Sequence, residues 1–308
     1  MALVRPVARK LPDGTICAVL PFHVSFEGLE TVVICRDDQD CDTMVKCLAV
    51  CARRKNVIII IYAVVSNHAH VAVLAKNLEE ANSYAQEVKR TYSQLFRARY
   101  GVSKVLRGTD VKVLLLDTDW YLRNALAYVP RNAYDNGAHS VADYKWTGFR
   151  AFFRSCHQPK PQILVSDMTQ REWREILHTG DNLSDVSWTL NKEYELEPSS
   201  FCDIQYLEQA FNNDEAFFYR SIGSVNTAEM TQKLVVSPRK MLSDAEFLKE
   251  VEAISARWFM TGVDSLPVSR KTRLIPYVYH TMKTTVPQLA RVFGVSREEI
   301  SRLLNVHR

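Results

Sequence analysis

The chain has 308 residues, 47% hydrophobic and 24% charged, a balance that excludes an extended disordered chain or a fibrous repeat. No uncharged apolar run approaches the roughly 18 residues of a membrane-spanning helix. The net charge of +4 is a sum over unlike parts: residues 1–155 carry 21 basic and 15 acidic side chains, residues 156–236 carry 6 and 13, and residues 237–308 carry 12 and 7. Two basic blocks thus flank an acidic one.

Residues 1–14 contain no apolar core of signal-peptide length, and the seven cysteines are odd in number with no C-x-x-C pair. A cytoplasmic protein with buried free thiols is the expectation. Residues 15–26 (TICAVLPFHVSF) predict a first strand, and residues 37–55 a helix in which Met44, Val45, Leu48 and Cys51 fall near helical spacing. Residues 57–65 and 69–75 are apolar, β-branched runs split by Ser66-Asn67-His68, so two strands or one bent hairpin follow. Residues 78–100 predict a long helix stopped by Gly101, residues 111–116 a short strand, and residue 119 onward a helix capped by Asp117, Thr118 or Asp119. This order predicts an α+β fold with an antiparallel sheet flanked by helices over residues 1–155. Trp120 and Trp146 are assigned to its core.

Residues 156–236 have helical patches at 168–177, 201–211 and 214–222 and are expected to form an acidic helical linker region without chemistry. In residues 237–308, a helix at 270–283 contains Pro276. Thr285-Val286-Pro287 then starts a helix, Gly294 permits a tight turn, and Ser296-x-x-Glu299 opens a last helix over 297–304. Leu289, Ala290, Val295, Ile300 and Leu303 fall at the inward positions of a helix-turn-helix. A helical hairpin without a DNA role is the plainer reading. The +5 charge of the block favours DNA, with Arg297 and Arg302 as candidate contacts.

The chemistry centres on Ser66-Asn67-His68-Ala69-His70-Val71. Two histidines separated by one residue on a strand project to the same face, as two ligands of one metal ion would. Taken alone, such a pair is more often structural. Tyr92, Tyr100 and Tyr128 are candidate nucleophiles. Arg90, Arg97, Arg99, Lys104 and Arg107 form a basic run interleaved with aromatics, either a solvated helix face or a set of phosphate contacts.

Residues 20–155 resemble the His-hydrophobic-His (HUH) single-tyrosine transposases, in the branch of the REP-associated tyrosine transposases. The resemblance rests on Phe22-His23-Val24-Ser25, SNHAHVAVL, KRTYSQLFRARYG, LRNALAYVPRNAYDNG and YKWTGFRAFF, five segments in the family's order. It implies a ferredoxin-like nuclease domain in which His68, His70 and Asn132 hold a divalent ion, Mg²⁺ or Mn²⁺, and Tyr128 is the nucleophile. It implies single-stranded, hairpin or palindromic DNA as partner, with either a monomer or a homodimer as the working form. His23 is then structural or DNA-facing rather than a ligand. The chain departs from the family pattern at Ser66 and Ala133, where proline is usual, and at Pro130, where either the helix kinks or Tyr128 sits near a helix end. The competing reading is a DNA-binding regulator whose catalytic domain is dormant. A replication initiator or relaxase ranks lower, lacking a second tyrosine signature and further domains. A histidine-triad hydrolase is discarded because the next alternate position is Ala72.

Overall fold

A computed structural model describes residues 2–27, 33–102, 105–106, 111–135, 137–153, 162–224, 242–282 and 284–304. It is an α+β structure built on an antiparallel sheet. The expected elements of the first half occur as β2 (Ile16–Glu27), α1 (Asp38–Arg54), β3 (Ile58–Val64), β4 (His68–Ala75), α2 (Leu78–Tyr100), β5 (Val111–Leu115) and α3 (Asp119–Asp135). A short strand, β1 (Val7–Lys10), precedes them and pairs with residues 16–19 of β2. It went unread because four residues of alternating exposure carry little periodicity.

The remainder of β2 lies between β4 and β5, and β3 pairs with the far side of β4, so the strands run β3–β4–β2–β5. Helices α1 and α2 pack together on one face. Asp37 and Asn77 cap them by accepting from the backbone N–H groups of Asp40 and Glu80. Gly101 ends α2 in the left-handed region at φ 69°, where a side chain would be strained. Phe22, Val24, Phe26, Val71 and Val73 point into this layer. The alternate residues point the other way, where α3 covers Ala72, Leu74 and Ile60. Strand alternation therefore decides which side chains α3 meets.

The stretch expected as a linker region is, over its described residues 162–224, folded against this sandwich, and each of the three expected helical patches holds a helix. It holds a two-stranded ribbon, β6 (Ile163–Leu164) with β7 (Thr189–Leu190), and helices α4 (Gln170–Ile176), α5 (Ile204–Ala210) and α6 (Glu215–Ser224). Val165, Trp173, Leu183 and Leu190 close over Ala49 of α1. Tyr206, Leu207, Phe211, Phe218 and Ile222 join the core under α3. Its acidic side chains pair with the basic first block: Arg9 with Asp203, Arg53 with Asp185 and Arg54 with Asp181, each at 2.6 Å, and Lys145 with Glu195.

The last residues form α7 (Asp244–Phe259), α8 (Val268–Thr281), α9 (Val286–Phe293) and α10 (Arg297–Leu303) around Phe247, Leu274, Leu289, Phe293 and Ile300. Helix α7 was not read from the sequence. Ser243 and Glu246 form a full capping box at its start, a signal that was present. Helix α8 runs through Pro276. Gly294 joins α9 to α10 at φ 62°, and Ser296 caps α10 by accepting from the Glu299 N–H. Arg291 pairs with Asp244 at 2.6 Å, tying α9 to α7.

Trp146 is in the core as expected, but Trp120 is 37% exposed on the first turn of α3. The six described cysteines are free, four of them buried. No helix among the described residues is long and apolar enough to cross a membrane.

Candidate active site

The site lies between the β2–β4 ladder and α3. In β4, His68 and His70 alternate with Ala69 and Val71, so both rings face α3 while Ala69 and Val71 face α1 and α2. In β2, Ser25 is the register partner of His70, and His23 that of Ala72. Rings of His68 and His70 lie 4.9 Å apart, edge to face. His23 stacks on His70 at 5.0 Å and 27°.

Helix α3 supplies the other half. Tyr128 and Asn132 are one turn apart and share a face. The Tyr128 ring meets His70 edge-on at 5.3 Å. Asn132 Oδ1 lies 2.9 Å from His68 Nε2. Pro130 does not separate them, because the helix continues from Asp119 to Asp135. Asn132 Nδ2 donates back to the carbonyls of Tyr128 at 2.9 Å and Val129 at 3.1 Å, bracing the turn around the proline. These two bonds use both amide hydrogens and fix Oδ1 as the atom aimed at His68.

His68 is therefore held between two amide oxygens. Its Nδ1 lies 2.7 Å from Asn67 Oδ1 and its Nε2 2.9 Å from Asn132 Oδ1. A neutral imidazole has one N–H and can serve only one of them. Turning the Asn67 amide resolves the conflict. So does a cation at Nε2, with the remaining Nδ1–H donating to Asn67 as metal-bound histidines commonly do. Among the described residues no three His, Cys, Asp or Glu side chains converge as a metal site. The donor set on offer is two imidazoles and one amide oxygen.

All of these groups are buried: Tyr128, His23 and Ser25 are 0% exposed, His70 and Asn132 1%, and His68 5%. Burial, with a contribution from the Lys112 charge, holds the pKa of His23 down to about 3, so its ring is neutral at pH 7. Over α3 lies α6, and Arg131 Nη1 donates to the Ile222 carbonyl at 3.0 Å.

The rival tyrosines lie elsewhere. Tyr92 is buried in the α1–α2 layer and donates to the Ile34 carbonyl at 2.5 Å, and desolvation raises its pKa. Tyr100 donates to Asp40 at 3.0 Å. The candidate phosphate-binding arginines of α2 belong to the helix on the opposite side of the sheet from the His pair, and the structure does not bring them to it. Arg99 forks onto Asp37 and Asp40, and Arg90 pairs with Glu87 at 2.7 Å. Arg97 is exposed on the last turn of α2. Lys104 and Arg107 lie outside the described residues. Arg297 and Arg302 are exposed on α10. Ser25 was missed by sequence reasoning. Its signal was its period-two spacing from His23 on the strand that pairs with the His pair.

No family model matches the chain, and no curated protein matches it. A solved structure of a REP-associated tyrosine transposase bound to a REP hairpin is similar in part, at 14% identity over 49% of this chain and 84% of that one. The TM-score of that comparison is 0.35.

Proposed function

We propose that the chain is a metal-assisted tyrosine strand transferase acting on single-stranded or hairpin DNA, with a ferredoxin-like catalytic sheet of the HUH class. The element order strand–helix–strand–strand–helix–strand from β2 to β5 fits that fold. One observation carries the reading: α3 lays a phenol and an amide oxygen, four residues apart, onto the His68–His70 pair. His68, His70 and Asn132 are the candidate ligands. Their mixed nitrogen and oxygen donors suit Mn²⁺ better than Mg²⁺, which favours all-oxygen sites. A divalent ion bound there supplies Lewis-acid polarisation of a non-bridging phosphate oxygen. Asn67 orients His68. Tyr128 attacks phosphorus, the bond to the 3′ oxygen breaks, and that oxygen takes up a proton to leave as a hydroxyl. The strand stays attached through a 5′-phosphotyrosine, and attack by a new 3′-hydroxyl reverses the step without ATP.

The α9–Gly294–α10 unit is the candidate helix-turn-helix, with Arg297 and Arg302 toward DNA. Replacing both by Ala is expected to weaken duplex binding and to reduce the slope of log affinity against log salt by about 1.8, at about 0.9 per phosphate contact. Titrating fluorescent DNA across salt concentrations measures it, and an unchanged slope removes α10 from the interface.

The full burial of Tyr128 favours a second reading, a DNA-binding regulator whose catalytic centre stays closed under α3 and α6. The two separate in one assay. The full chain is incubated with a hairpin oligonucleotide labelled at its 3′ end and with Mn²⁺, then run under denaturing conditions. The transferase is expected to give a labelled protein–DNA adduct that EDTA prevents. No adduct with any divalent ion rejects the transferase and leaves the regulator.

A further inference from the structure

Strand register places a cation in the same row as the histidine pair. Ser25 of β2 has two register partners, His70 of β4 on one side and Lys112 of β5 on the other. Side chains directly opposite one another across a ladder have Cβ atoms about 4.5–5.5 Å apart. Alternation turns Lys112 to the α3 face with Leu114, while Val111 and Val113 pack toward α1 and α2. Imidazole, hydroxyl and ammonium therefore stand side by side on one face, and His23 joins them two residues before Ser25.

The middle of this row is polar and buried. His23 and Ser25 are 0% exposed, and among the described residues His23 Nδ1, His23 Nε2 and Ser25 Oγ have no hydrogen-bond partner. Each buried polar group left this way is destabilising. A side chain serving only the core would be replaced by an apolar one at no loss. Lys112 is half-buried at the open end of the row. It lies close enough for its charge to act on His23. A neutral imidazole offers one N–H, a hydroxyl one O–H, and an ammonium both charge and donors. Their common complement is an anion with several acceptor oxygens. At backbone level Lys112 is two strand spacings, about 9–10 Å, from His70, so this seat is offset from the candidate ion rather than superimposed on it.

We propose that Lys112, Ser25 and His23 form a seat for a phosphodiester of the DNA strand, adjacent to the one that Tyr128 attacks. The inference rests on the strand-transferase reading for its choice of anion. Lys112 is a positioning residue in this scheme. It holds the strand in line across the sheet while the His pair and Tyr128 act on the neighbouring phosphorus.

The test uses the full chain, a fluorescent single-stranded oligonucleotide with a hairpin, and binding measured from 50 to 400 mM salt. Lys112→Gln is expected to weaken binding and to flatten the salt slope by about 0.7, the value for one phosphate contact on a single strand. Lys112→Arg, which keeps the charge, is expected to restore the slope. Ser25→Ala is expected to weaken binding with the slope unchanged, since no charge is lost. In the adduct assay Lys112→Gln should raise the DNA concentration for half-maximal rate and leave the rate at saturation within about threefold. An unchanged slope in Lys112→Gln, or a slope that Arg fails to restore, overturns the seat. If wild type forms no adduct but the slope still depends on Lys112, the seat stands and the transferase reading fails. If the adduct forms and Lys112→Gln matches wild type at every salt concentration, the seat alone fails.

Discussion

Tyr128→Phe is expected to abolish the covalent protein–DNA adduct while leaving DNA binding within about twofold. The phenol oxygen is the only atom removed, and the ring keeps its edge contact with His70 at 5.3 Å. Catalysis loses its nucleophile outright, so the loss should reach the detection limit of the gel, several orders of magnitude below wild type. Tyr92→Phe is the control. Its hydroxyl bonds the Ile34 carbonyl in the α1–α2 layer, and the change should cost about 1 kcal/mol of stability and leave the adduct intact. Adduct formation by Tyr128→Phe, with loss in Tyr92→Phe, reverses the assignment. Denaturing gels of the two variants with Mn²⁺ decide it.

Phe218→Ala is expected to destabilise the protein by about 3–5 kcal/mol, the range for deleting a fully buried phenylalanine. Phe218 is 0% exposed on α6, with ring neighbours Phe211 at 4.7 Å, Phe153 at 5.7 Å, Phe149 at 5.8 Å and Phe152 at 6.4 Å. Those residues come from α5 and from the segment 149–153 beside the sheet, so one ring joins residues 201–224 to the core between the sheet and α3. The melting temperature should fall by about 10 °C. Phe218→Leu keeps most of the volume and should cost roughly a third as much. A loss below about 1 kcal/mol in urea unfolding shows that α6 adds little to the core over α3.

Ion pairs also join this region to the first block. The acidic excess of residues 156–236 and the basic excess of residues 1–155 meet as Arg9–Asp203, Arg53–Asp185, Arg54–Asp181 and Lys145–Glu195. Partly exposed pairs of this kind are each worth about 0–1 kcal/mol. Their consequence is chiefly electrostatic: part of the basic surface on β1 and α1 is occupied internally.

The strands and helices from residue 16 to residue 135 were legible because each has its own local signal. Apolar β-branched runs made β3 and β4, a Gly stop ended α2, and alternation put His68 and His70 on one face. The tyrosine–asparagine spacing was also local, since one helical turn lies within the sequence window. Four things were not local. Sequence alone left Tyr92 and Tyr128 as rivals, and the sheet separated them by burying one on each side. Pro130 left open whether the helix reaches from Tyr128 to Asn132, and it does, with the Asn132 amide donating to the carbonyls of Tyr128 and Val129. The arginines of α2 were grouped with the site by composition, yet α2 packs on the far face.

The fourth is the row His70–Ser25–Lys112, whose outermost members in sequence, residues 25 and 112, are 87 positions apart and which exists only through strand pairing. Sequence by itself determined the identity, spacing and facing of chemical groups within each element, because backbone periodicity is set over a few residues. Tertiary structure decided which elements face each other and which charges cancel. Those outcomes depend on sheet register and on what buries against it, and no window along the chain contains both partners.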